Sequence, residues 1–239
     1  MDVRRFRDDI YRLSAKACAG DDPEVTAKVR KVADVLVGLY RKNVVKINHS
    51  ALELVCAREL VRRGYEVEVE HRVDRALVCD VYGERGDESL IVEIETGFIP
   101  PDAAVEPSAY ARGRIASKIA RYSGFADRFA LGTTPTYVLD FPRFFAEPAR
   151  ERSTVEAARI KAATDVRYDR PPISMEELMV ARLHSIFLID VDSGETMEVD
   201  PLGYLEGASK FVGSQGLNRV SGARERGFKF AESARQGLL

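Results

Sequence analysis

The chain has 239 residues, 45% hydrophobic and 31% charged, with 36 Lys and Arg against 38 Asp and Glu and a formal net charge of -2. So many core formers exclude a disordered chain, and the near balance of charge excludes a uniformly basic coat for nucleic acid. Cys18, Cys56 and Cys79 lie far apart with no CxxC spacing, which argues against a disulfide framework or a thiolate zinc site and for a reducing, cytoplasmic setting.

Residues 1–9 mix charges where a signal peptide needs an apolar stretch, and no apolar run approaches the roughly 18 residues of a membrane span. A soluble protein without a membrane partner is expected. Residues 3–19 carry Phe6, Ile10, Leu13 and Ala17 at helical spacing, and Gly20-Asp21-Asp22-Pro23 stops them. A second helix runs from Pro23 to about Arg41 on Val29, Val32, Leu36 and Tyr40. A third begins near Asn48 to Ser50, whose small polar side chains are expected to cap it, and ends at Gly64.

There the period changes from helical to two. Residues 65–70, 76–82 and 89–96 read as strands, with a hairpin turn within 83–87, and together form an antiparallel meander. A Pro-rich loop leads to a helix over 108–123, then to short strands at 129–133 and 137–140 separated by Pro135. Beyond, the pattern predicts a helix within 143–164, a break at Pro171-Pro172, a short helix over 175–182 and a strand over 185–191. The last thirty residues, rich in Gly and Ser, read as loop or tail.

Chemistry concentrates around Asp80, Glu93 and Glu95. Residues two apart on a strand share a face, so Glu93 and Glu95 project together. With the turn centred between Arg85 and Gly86, Asp80 stands opposite about residue 91, on the face of Glu93, and three carboxylates converge. A register slip of one residue would undo this. Like charges so close are costly unless water solvates them or a cation sits among them, and hard oxygen donors select Mg2+ or Mn2+. Acidic alternation is ordinary on a solvated sheet face. The third acid and the apolar runs before Asp80 (Leu77-Val78-Cys79) and Glu93 (Leu90-Ile91-Val92) favour a metal site instead.

These residues resemble the PD-(D/E)XK nuclease superfamily, which includes restriction enzymes, archaeal Holliday-junction resolvases and RecB-like nucleases. The shared pattern is a helix bearing an acid, a strand, an Asp near the end of a second strand, Glu-x-Lys on a third, then a helix and a further strand. It covers residues 48 to about 140. The resemblance implies an α/β fold with a restriction-endonuclease-like core, a mixed central sheet flanked by helices, and an N-terminal helical extension. The parts would be 1–47, the nuclease core 48–140, and a C-terminal extension and tail 141–239. It implies that Asp80 and Glu93 bind Mg2+ (or Mn2+) with the backbone carbonyl of Ile94, and that Glu53 is the helix acid.

Two positions depart from the pattern: Cys79 stands where Pro is usual, and Glu95 where Lys is usual. Glu95 would then be a third ligand or a water-positioning base. The cation would come from the following helix, where Lys118 shares a face with Arg114 and Arg121 and could stabilise the phosphate or track the backbone. The implied activity is metal-dependent hydrolysis of phosphodiesters, in DNA more than RNA, with a homodimer by analogy. The alternative is a binding or scaffold module that kept the fold and lost catalysis.

Other features carry less. His49, His71 and His184 lack HxH or HExxH spacing, so no histidine metal site is expected; His49, just before the third helix, is within reach of the cleft but reads first as a capping or surface residue. No phosphate-binding GxxxxGK[ST] loop occurs. Local basic stretches, Arg4, Arg5, Arg7 and Arg12, Lys28, Arg30 and Lys31, Arg41, Lys42 and Lys46, and Arg219 to Arg235, suit a phosphate backbone despite the acidic total. Abundant Glu and Arg with few Asn and Gln hints at heat adaptation.

Overall fold

Pro23 at the first helical position has no N–H to waste, and the Asp22 carboxylate accepts the Glu24 N–H at 2.7 Å, so the second helix starts where the sequence places it. The computed structural model describes residues 2–166 and 172–215, with backbone only from residue 210. Helices α1 (Val3–Ala17), α2 (Pro23–Arg41) and α3 (Ile47–Arg62) pack on one another. Phe6, Ile10, Val29, Val32 and Leu36 are buried, each worth about 1.5–3 kcal/mol of transfer from water, and Tyr40 stacks on Phe6 at 3.8 Å. The expected cap of α3 is not found. Lys46 is its N-cap and makes no side-chain cap bond, because Asn48 and Ser50 already lie inside the helix.

Six strands form one mixed sheet in chain order: β1 (Glu66–Arg72), β2 (Val78–Arg85), β3 (Glu88–Glu95), β4 (Arg128–Thr133), β5 (Ser185–Asp190) and β6 (Glu195–Val199). β1, β2 and β3 are the antiparallel meander. Arg85 pairs with Glu88, so the turn is Gly86-Asp87, with Gly86 at φ 60 as a two-residue turn opening on glycine requires. The turn thus lies one residue later than the spacing suggests. Cross-strand partners move by two, which keeps every side chain on its expected face. Gly132 on β4 admits Ile94 and Ile189; a Cβ there would lie 2.6 Å and 2.9 Å from their Cδ1 atoms.

Several expectations fail in the second half. Residues 137–140 form no strand, Pro135 having ended the run. Within 143–164, Pro142 and Pro148 each open a 3-10 turn, and the helix is only α5 (Thr154–Asp165). Strand β6 and helix α7 (Pro201–Gln215) were not expected. Asp200 accepts the Gly203 N–H at 2.9 Å and opens α7, whose glycines argued against a helix. Residues 210–215 are therefore helical rather than loop, and the rest of the expected tail lies outside the described residues.

The chain divides into two compact units. One comprises Met1–Thr96, Leu131–Thr134 and Phe187–Glu198, and the other Gly97–Ala130, Pro135–Ile186 and Val199–Leu239. In the second unit, α4 (Pro107–Tyr122) buries Ala111, Ile115, Ala116 and Ile119, and α5 packs against both α4 and α6 (Met175–Val180). Arg152, 7% exposed, is satisfied there by the backbone carbonyls of Phe145, Glu147, Leu178 and Met179. No described helix is long and apolar enough to cross a membrane.

Candidate metal centre

Helix α3 brings His49 and Glu53 one turn apart onto the same side, and His49 Nδ1 lies 2.7 Å from Glu53 Oε1. Glu53 is fully buried and His49 half-buried. The ring's other nitrogen, Nε2, faces the Ile94 carbonyl at 3.2 Å and Asp80 Oδ2 at 3.7 Å.

Asp80 and Glu93 are locked together on β2 and β3, at the positions that follow the pair Val81 with Val92. Asp80 N–H donates to Glu93 Oε1 at 3.1 Å, and Ile94 N–H donates to Asp80 Oδ2 at 2.6 Å. Each carboxylate thus accepts a backbone amide of the other's strand, and the Ile94 bond fixes the Asp80 head group.

Glu70 joins from β1. Val69 pairs with Val81 and His71 with Cys79 in an unbroken register, so Glu70 is level with Asp80. Its φ of 51 is a left-handed conformation that non-glycine residues seldom take. One ligand atom each from His49, Glu53, Glu70 and Asp80 lies within 4.8 Å of all the others. Opposed ligands at about 2.1–2.4 Å from one cation are separated by no more than this, so the four atoms fit the shell of a single ion. Without one, each pair of carboxylates at such a distance would repel by roughly 3 kcal/mol at an effective dielectric of about 20.

Cys79 and Cys56 lie nearby. Burial, then the Glu93 and Asp80 carboxylates, push the Cys79 thiol up, and burial also pushes up Cys56. Both are free thiols. The donors of the group are therefore carboxylate oxygens and an imidazole nitrogen.

Of the acids expected at the site, Asp80 and Glu53 are members of this group. Glu93 and Glu95, each 2% exposed on β3, are not among its four residues, although Glu93 binds the Asp80 amide and Thr133 Oγ1 donates to the Glu95 carbonyl at 2.9 Å. His49 is the main correction: it is a member, not a capping residue. HxH templates miss it because its partners are an acid one turn on and residues from two strands. Lys118, Arg114 and Arg121 lie on α4, half-buried rather than on a freely solvated face. Arg114 donates to the Phe98 carbonyl at 2.7 Å and lies over the Tyr110 ring.

No family model matches the chain, and neither a curated protein nor a solved structure does.

Proposed function

We propose that the protein is a divalent-metal-dependent nuclease that hydrolyses phosphodiester bonds of DNA, with a site of the PD-(D/E)XK kind. The observation that carries the reading is the group of four donor atoms, three carboxylate and one imidazole, within 4.8 Å of one another. Asp80, Glu70 and Glu53 would hold the cation, with His49 as nitrogen donor or, through Glu53, as an oriented neighbour. A bound Mg2+ or Mn2+ would supply a Lewis acid at the phosphoryl oxygen and a more acidic water.

The chain's own groups do the rest. Ile94 N–H holds the Asp80 carboxylate and Glu93 holds the Asp80 backbone amide, which spares the site reorganisation. The Ile94 carbonyl, already facing His49 Nε2, is a further oxygen on the same side. In this reading Glu95 accepts a proton from the attacking water.

The test is cleavage of labelled single-stranded, duplex and branched DNA with Mg2+ or Mn2+, beside an identically purified Asp80→Ala protein. Metal-dependent products lost in the variant are expected. Equal products from both proteins would mean a contaminating nuclease and sink the assignment. No cleavage by either protein, together with no Mn2+ binding by calorimetry, would favour the other reading, a binding module in which Glu95 replaces the usual Lys.

A further inference from the structure

The α2–α3 connection differs from the helices before it. Basic residues of α1 and α2 mostly meet acids: Arg4 with Asp2, Arg5 with Asp9, Arg7 with Asp8, Lys28 with Glu24 and Glu66, and Arg30 with Asp34. From residue 35 to residue 52 the chain has no acid at all, yet it carries Arg41, Lys42 and Lys46. These three are exposed and, among the described residues, enter no ion pair.

The chain path ties Lys46 to the metal group, with Arg41 and Lys42 five and four residues before it. Asn43 takes φ 58, a left-handed conformation that asparagine tolerates, and turns the chain out of α2. Lys46 is the N-cap of α3, three residues before His49 and seven before Glu53. At about 1.5 Å per residue, Lys46 lies only about 5 Å along the helix axis from His49. The first turn of α3 has no side-chain cap, so its N-terminal amides add to the positive end beside Lys46. Unneutralised cations beside converging acids would be wasteful unless a ligand carries negative charge to the one and a metal to the other. A nucleic-acid backbone over a divalent cation does both.

We propose that Arg41, Lys42 and Lys46 grip the DNA phosphates flanking the scissile one, making the α2–α3 connection the backbone clamp of this site. The inference rests on the nuclease reading. It concerns backbone contacts, so it carries no base preference.

The test is the salt dependence of DNA binding, by anisotropy of a labelled duplex in Ca2+. The proteins are the wild type, Arg41→Gln/Lys42→Gln/Lys46→Gln, and Arg4→Gln/Arg5→Gln/Arg7→Gln. Losing three phosphate contacts should flatten the log K against log salt slope by about 2.7 in the first variant, while the second, equal in charge removed, keeps the wild-type slope. Mn2+ affinity by calorimetry should be unchanged in both. A wild-type slope in the first variant, or an equal loss in both, overturns the clamp while leaving wild-type cleavage, and so the nuclease reading, standing. Clamp-dependent binding by a wild type that never cleaves would sink the nuclease reading and keep the clamp. A wild type that neither binds nor cleaves removes both.

Discussion

The two ends of α3 handle charge in opposite ways. At the C-terminal end, Arg58, Arg62 and Arg63 meet Asp21, Glu59, Glu195 and Glu198 in a chain of ion pairs. Arg58 is the hub, bidentate to Asp21 at 2.7 Å and 2.9 Å and donating also to the Gly194 carbonyl at 3.1 Å. At the N-terminal end, Glu53, Glu70 and Asp80 gather around one imidazole. Guanidinium balances carboxylate at the first end, which makes it a fastening. Carboxylates crowd one another at the second, which spends stability and makes sense as a place kept for a cation.

The largest expected effect breaks the acidic end alone. Asp80→Ala should lower metal-dependent cleavage by at least about 100-fold, since even outer partners of metal ligands cost that much. Thermal stability should hold or rise as a like charge is removed. Unfolding of the variant at low temperature would instead make Asp80 structural. Arg58→Ala breaks the other end. It leaves Asp21, 7% exposed at the side chain, with Arg62 alone at 3.4 Å, and should cost about 1.5–3 kcal/mol in urea unfolding. Mn2+ affinity should not change, and a loss of affinity would show the two ends to be one device.

Adding the missing cation sharpens the contrast. Mn2+ at about 100 times its Kd should stabilise the wild type by about 2.7 kcal/mol and chelation should reverse it. Arg58→Ala should show the same gain and Asp80→Ala none. Acid acts on the fastening in the opposite sense. Hydrogen bonds from Arg58 hold the Asp21 carboxyl below the usual carboxylate range. A depressed carboxylate contributes stability that is fully present above its unfolded pKa of about 3.9 and is lost as pH falls through the folded value. The stability difference between wild type and Asp21→Asn should therefore stay flat from neutral pH to about 5 and narrow below about 4. A difference already narrowing above pH 5 would contradict the assignment.

Physical signals account for what the sequence disclosed. Glu53 shares a side with Cys56 and Leu60, a spacing that marks an inward face, and it is fully buried. Asp80 and Glu93 share a face under any even register shift, so misplacing the turn by one residue did no harm. His49 carried a usable signal, its i, i+4 spacing to Glu53, which tests built on histidine pairs ignore. Glu70 carried none. It reads as the third acid of an alternating strand, Glu66, Glu68, Glu70, whose ordinary place is in water. Only the β1–β2 pairing and a left-handed backbone bring it to Asp80, and both depend on distant residues. β6 and α7 failed for the same reason: a short strand beside a hairpin and a glycine-bearing helix gain their stability from tertiary packing, not propensity.

The smallest effect tests whether that backbone twist is strained. In a strand interior, glycine ordinarily costs about 0.5–1 kcal/mol relative to alanine. At residue 70 the order should invert. With φ at 51, alanine keeps the left-handed penalty of about 1–2 kcal/mol and glycine sheds it. Glu70→Gly should therefore be more stable than Glu70→Ala by roughly 1 kcal/mol in urea unfolding, while both lose the carboxylate and bind Mn2+ more weakly. The ordinary order would mean that residue 70 sits without strain. In that case its carboxylate reaches the group through side-chain rotamer alone, and the backbone is not bent to serve the site.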